Sequence, residues 1–257
     1  MTRPVVALTG APDWADDLKG LLSDHGFALV AYDTTAGYVA RLADDGVAMV
    51  LVPAGHAAGS DWPFWVTTPK VSAATRRVPV VVVSADAAVR EEALALGADV
   101  SLPPGELRAS LPGLLTQLAR VPDPSDRARL AAQCQEPLPS LARQGIEQFN
   151  AGQYYRQHDL FEELWMVEEG PVRDLYRAVL QVGIAYYQIT RGNHRGALKM
   201  LLRSVQWLLL LPDVCQGVDV RQLREDAGRV RAVLERMNSE DIETFDRRLL
   251  KPVRLLE

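Results

Sequence analysis

The 257-residue chain predicts two folds in tandem, an α/β domain and then an all-α one. In the first half, short β-branched runs such as Val5–Leu8 and Val80–Val83 alternate with segments whose apolar residues recur at helical spacing. That alternation implies βαβ units and a parallel sheet covered on both faces; five strands fit the flavodoxin-like doubly wound order. In the second half no segment reads convincingly as a strand. Long amphipathic runs follow one another across short breaks, the pattern of an antiparallel helical bundle. The expected domains are 1–120 and 127–257, with a proline-rich linker at 121–126.

The elements follow in order. Val5–Leu8 is the first strand and ends at Thr9-Gly10. Asp13–His25 carries Trp14, Leu18, Leu21 and Leu22 at helical spacing, with Asp13 as N-cap and Gly26 as stop. Phe27–Tyr32 is the second strand, Thr34–Ala43 the second helix and Val47–Val52 the third strand. Trp62, Phe64 and Trp65 follow, interrupted by Pro63. Packing into the core is the expectation for them, and an exposed aromatic contact surface is the alternative. Val78–Ser84 is a fourth strand buried on both faces, and Asp86–Leu96 is a helix closed by Gly97. Val100–Leu102 is the fifth strand and Pro104–Arg120 the last helix. In Val121-Pro-Asp-Pro-Ser125, two prolines argue against helix and strand alike.

The bundle helices are read at Leu138–Asn150, Gln153–Glu168, Val172–Thr190, His194–Leu211 and Val220–Met237, with a short one capped at Ser239-Glu240-Asp241. His194–Leu211 is apolar on more than one side and is expected at the centre. Gly152 and Gly192 suit left-handed helix ends, Asn193 suits a cap, and Gly196-Ala197 permits close helix approach.

The net charge of -5 lacks the general footprint of a nucleic-acid binder. Arg221, Arg224, Arg229, Arg231 and Arg236 are interleaved with Glu225, Asp226 and Glu235, which reads as a solvated, salt-bridged helix. Cys134 and Cys215 are too few for a disulfide framework or a zinc site by themselves. The N-terminal apolar run is too short for a signal peptide, and Trp207–Leu211 is too short to span a bilayer. A soluble, cytoplasmic protein is expected.

The densest polar stretch runs from Phe149 to Trp165. His158 and Glu162 stand four apart and Trp165 seven beyond His158, so all three share a helical stripe. Asp159 and Glu163 form a neighbouring pair of like charge, which Gln181, Arg191 or Arg195 from a facing helix could relieve. A histidine and a carboxylate on a partly apolar face can bind a divalent metal or perform acid–base chemistry. They can equally form an ordinary structural hydrogen bond. His158 and Glu162 are two metal donors where three or four are needed; His194 is a candidate third. The chain contains no His-Glu-x-x-His, Gly-x-Ser-x-Gly, P-loop or dinucleotide fingerprint.

Residues from about Val5 to Arg120 resemble the receiver domain of bacterial response regulators. The most specific stretches are Thr75-Arg-Arg-Val-Pro-Val-Val-Val-Val-Ser-Ala85 and Ala93-Leu-Ala-Leu-Gly-Ala-Asp99. A working receiver needs an acidic pair for Mg²⁺, a phospho-accepting aspartate and a lysine to pair with the phosphate. By this resemblance the acidic pair falls on Thr9 and Gly10, the acceptor on Pro53 and the lysine on Pro103 or Pro104. Ser84 keeps its hydroxyl. Asp13 and Asp61 are displaced from the positions the chemistry needs, so the resemblance implies a pseudo-receiver used for docking or dimerisation.

The second half is similar to a small all-helical prokaryotic family, domain of unknown function 309. The resemblance rests on Phe149-Asn-x-Gly-x-Tyr154, His158-x-x-x-Glu-Glu-x-Trp165, Leu180-Gln-Val-Gly-Ile-Ala-Tyr-Tyr187 and Arg191-Gly-Asn-x-x-Gly-Ala197. It implies a bundle and a shared polar cluster of Asn150, His158, Glu162, Glu163, Trp165, Gln181, Arg191 and Asn193, but no established reaction. The family usually has glutamate where this chain has Asp159.

The expected function is a non-enzymatic regulatory or scaffold protein with no cofactor. Its partner is a protein or a small ligand, with room for a homodimer and no role for membrane or nucleic acid. The alternatives are a metal-dependent or acid–base enzyme using His158 and Glu162, and a phosphorelay response regulator with a helical output domain.

Overall fold

The computed structural model describes residues 3–55 and 61–256. The chain forms two compact units, Met1–Val121 and Pro122–Glu257.

The first unit runs β1 (Val5–Thr9), α1 (Ala15–Asp24), β2 (Ala28–Tyr32), α2 (Tyr38–Asp44), β3 (Val47–Pro53), α3 (Trp62–Val71), β4 (Val80–Val83), α4 (Ala87–Ala95), β5 (Val100–Leu102) and α5 (Pro104–Gln117). All five strands are parallel, in the order β2-β1-β3-β4-β5. Strand side chains alternate between faces, so each valine-rich run feeds two cores. Ala7, Val50, Val52, Val80 and Val82 pack with Tyr38, Trp65 and Val89 on one side. Val6, Leu8, Met49, Leu51, Val81 and Val83 pack with Leu18, Leu22, Leu107 and Leu111 on the other.

One expectation fails locally in this unit. Asp13 does not cap α1: the helix starts after Trp14, with no side-chain cap bond. The 62–71 segment is a helix despite Pro63, because a proline in the first turn lacks only an N–H that would be unpaired anyway. Asp61 precedes this helix and makes no side-chain cap bond. Trp62 and Trp65 are buried, whereas Phe64 is 39% exposed. The Tyr38 ring meets Trp65 edge-on at 4.6 Å, and its hydroxyl donates to the Trp65 carbonyl at 3.1 Å.

The second unit contains α6 (Pro124–Gln133), α7 (Ser140–Asn150), α8 (Tyr154–Val167), α9 (Arg173–Thr190), α10 (His194–Leu208), β6 (Val214–Cys215), β7 (Val218–Asp219) and α11 (Val220–Arg236). Two 3₁₀ turns, Ser239–Thr244 and Arg247–Leu249, follow. The linker expectation is corrected here. Pro124 opens α6, and the Asp123 carboxylate caps it by accepting the Ser125 N–H at 2.7 Å. The helix expected at the centre is also wrong. α9, not α10, is buried along its length and packs against both α8 and α10, whereas α10 buries one stripe and leaves Leu209 and Leu210 beyond it exposed. The helical half does hold strands: β6 and β7 form a two-stranded hairpin turning through Gln216, at φ 50°, and Gly217, at φ 75°.

The two cysteines are joined. Cys134, at the end of α6, forms a disulfide with Cys215 in β6, 81 positions away. Among the described residues no helix is long and apolar enough to cross a membrane.

Candidate functional site

His158, Glu162 and Trp165 lie on the partly exposed side of α8, while Gln157 and Phe161 on the same helix are buried. His158 Nδ1 is 3.1 Å from Asp159 Oδ1 and 4.0 Å from Glu162 Oε2. The neighbouring acid is thus its hydrogen-bond partner, and the expected i, i+4 pair is the looser contact. Tyr155 stacks on the His158 ring, with centroids 6.2 Å apart, and also meets Tyr187 of α9 at 5.4 Å. This surface therefore offers an aromatic pair, an imidazole and two carboxylates. Among the described residues no group of three His, Cys, Asp or Glu side chains is gathered to hold a metal ion.

Other members of the expected cluster serve elsewhere. Asn150 is a clasp: its Nδ2 donates to the Val253 carbonyl at 2.9 Å, and its Oδ1 accepts the Val253 N–H at 2.8 Å. Asn193 caps α10 by accepting the Gly196 N–H at 2.9 Å, and it donates to Gln188 Oε1 at 2.8 Å. A Cβ on Gly196 would sit 2.5 Å from the Asn193 amide. Gly196 thus makes room for the cap rather than for a neighbouring helix. Gly152 and Gly192 take φ of 74° and 72°, the left-handed helix ends expected of them. His194 is half-buried and does not complete a metal-binding group with His158; its Nε2 donates to the Leu234 carbonyl at 2.7 Å. Glu163 and Arg191 are exposed. Gln181 Oε1 is buried without a hydrogen-bond partner. The interleaved charges of α11 do pair: Arg229 reaches Asp226 at 3.2 Å and Glu225 at 3.5 Å, and Arg231 reaches Glu235 at 3.2 Å.

Two features escape the sequence reading. Trp165 belongs to a ladder of alternating guanidinium and indole groups. Arg173 and Arg177 lie 5.6 and 4.8 Å from the Trp165 ring, while Arg177 and Arg203 lie 6.0 and 5.5 Å from Trp207. Arg177 also pairs with Asp174 at 3.2 Å. Burial pushes the Asp174 carboxyl above its ordinary value, and the Arg177 guanidinium offsets this in part. The second feature is Gln157, fully buried, whose amide donates to the Tyr154 and Leu180 carbonyls at 3.0 and 3.3 Å. A Cβ on Gly183 would come within 2.3 Å of that amide. Glycine inside a helix was the available signal, since it marks a point of close approach.

At the carboxyl edge of the sheet, Thr9 is buried, Gly10 takes φ 69° and Pro53 closes β3. Ser84 Oγ accepts the Asp86 N–H at 3.2 Å, and Pro103-Pro104 begins α5. Lys70 is engaged away from this edge, with Asp99 at 2.6 Å and the Val78 carbonyl at 3.1 Å. The strand order, with its reversal between β1 and β3, is that of a receiver-like doubly wound sheet.

Two solved structures show partial similarity. One is full-length FixJ from B. japonicum, 19% identical, covering 78% of this chain and 98% of that one, with a TM-score of 0.36. The other is a putative pilus assembly-related protein from Burkholderia pseudomallei, 17% identical, covering 46% of this chain and 93% of that one, with a TM-score of 0.35. An uncharacterized protein of Aquifex aeolicus is 24% identical over 85 residues, which span 33% of this chain and 26% of that relative's length. Residues 142–200, which hold the α8 face and most of its neighbours, match the family described as "Domain of unknown function (DUF309)".

Proposed function

We propose that the chain is a non-enzymatic regulatory or scaffold protein. In this reading the α/β unit keeps a receiver-like frame as a pseudo-receiver without phosphoryl chemistry. The helical unit binds a protein partner or small ligand on the α8 face, and a second copy of the chain is one such partner. Pro53 is the observation that carries the reading. It ends the strand after which a receiver needs its phospho-accepting carboxylate, and it has no nucleophile. Thr9-Gly10 and Pro103-Pro104 likewise supply neither the acids for Mg²⁺ nor a phosphate-pairing lysine. The test is to incubate the full chain with Mg²⁺ and acetyl phosphate and measure its intact mass. No phosphoryl adduct is expected. An acid-labile adduct on Asp13 or Asp61 would restore the phosphorelay reading.

A metal-dependent or acid–base enzyme is the second reading, favoured by the His158–Asp159 contact with Glu162 nearby. Its donor set is incomplete for a structural or catalytic metal. Elemental analysis of the purified chain beside His158→Ala separates the two readings. We expect no stoichiometric metal in either; one equivalent lost in the variant would reverse the ranking.

A further inference from the structure

We propose that the Cys134–Cys215 disulfide is a redox-operated latch on α6. This helix is the first element after the Val121/Pro122 boundary between the two units. It is held lightly: Leu130 is its one buried residue, and Arg127 and Arg129 on it are exposed. The remaining attachment is concentrated at its C-terminal end. The Gln216 N–H donates to the Cys134 carbonyl at 2.7 Å, and the Val172 N–H donates to Gln133 Oε1 at 3.2 Å. The disulfide ties that same end to β6, where Cys215 is fully buried and packed in the bundle core.

With the bond closed, the end of α6 can leave only if the β6 hairpin comes out of the core with it. Its opening is then linked to unfolding of the bundle. With the bond open, undocking costs the burial of Leu130 and Cys134 and a few hydrogen bonds, a local event rather than unfolding of the bundle. A ten-residue helix removed from its neighbours does not hold its own structure in water. Reduction thus converts residues from Pro122 to about Pro137 from a docked helix into a flexible extension of the connection between the units.

The chemistry is dithiol–disulfide exchange. Opening of α6 around Leu130 and up to its C-cap exposes the Cys134 sulfur, whose residue is 4% exposed at rest against 0% for Cys215. A thiolate of a cellular dithiol attacks that sulfur, and Cys215 leaves as a thiolate and takes up a proton. The dithiol's second thiolate then resolves the mixed disulfide and releases Cys134, which is protonated in turn. Two electrons pass from the dithiol to the chain, and the dithiol leaves as a disulfide.

The experiment uses the full chain purified without reductant. Free thiols are counted under native conditions before and after dithiothreitol, and amide exchange is followed in peptides from α6 and α9. Native reduction should release both thiols and speed exchange in α6 at least about tenfold more than in α9, with the effect reversed by re-oxidation. Cys215→Ser should show the fast α6 exchange permanently. If that variant does not fold, the reduction and re-oxidation cycle on the natural chain decides. The proposal is overturned if the bond cannot be reduced without unfolding, if α6 exchange is unmoved, or if α9 loses protection equally. Two thiols that no oxidant will close would overturn it as well.

Discussion

Asn150 satisfies both polar groups of the Val253 backbone, 103 positions away. Asn150→Ala removes both bonds and strands their partners, so we expect a loss of about 2–3 kcal/mol, read as a lower urea midpoint for the helical unit. Gly183→Ala should be damaging for a steric reason: the new methyl meets the amide of a fully buried Gln157 that has nowhere to move. A loss of about 1–3 kcal/mol by the same measurement is expected. Asp174 gives a pH signature. Its folded pKa is raised, chiefly by burial, so the native state holds the proton to a higher pH than the unfolded chain does. The stability it contributes is complete below the ordinary value of 3.8 and falls as pH rises through the raised value. Stability curves for Asp174→Asn against the natural chain should therefore shift in the variant's favour as pH rises from 3.8 through the raised value, and run parallel above it. The motif was legible at this scale as a set of residues but not as a set of roles. Nothing local distinguishes Asn150, which closes a loop from the far end of the chain, from His158, which stays on the surface.

Elements were legible wherever their cause is local. Val80–Val83 can only be a strand buried on both faces, and Gly192-Asn193 signals both the end of α9 and the cap of α10. Asn193→Ala should cost about 1 kcal/mol by thermal unfolding, because one N–H at the start of α10 loses its acceptor. Proline produced the misreading of the linker. Pro63 and Pro124 look alike whether they break a helix or begin one, and the outcome depends on what precedes them and on whether the next turn has a core to pack against. For α3 that core is the buried side of Trp62 and Trp65; for α6 it is Leu130 and the disulfide. α9 outranks α10 at the centre because α8 and α10 bury ten of its residues, whereas α10 buries four between α9 and α11, and apolar content alone does not show how completely a helix is covered.

For the molecule as a whole, the disulfide joins residues 81 apart, and a loop of that length is worth about 4–5 kcal/mol of chain entropy in the unfolded state. Reduction should lower the thermal transition of the helical unit and leave that of the α/β unit in place, since both cysteines lie beyond Val121. Calorimetry of oxidised and reduced chain reads the two transitions side by side. Disulfides persist mainly in oxidising compartments, so this bond sits uneasily with a cytoplasmic setting unless it is labile or regulatory. The amino-acid order by itself determined the five-strand α/β half, the run of bundle helices, their glycine ends and the Asn193 cap. Each of those follows from side-chain periodicity and backbone preference over a few neighbouring residues. Only the tertiary structure decided the Cys134–Cys215 bond, the Asn150–Val253 clasp, the Arg–Trp ladder and the displacement of His194 to Leu234. Those contacts join residues from separate helices or distant loops, and their geometry comes from how complete helices pack, which no window along the chain contains.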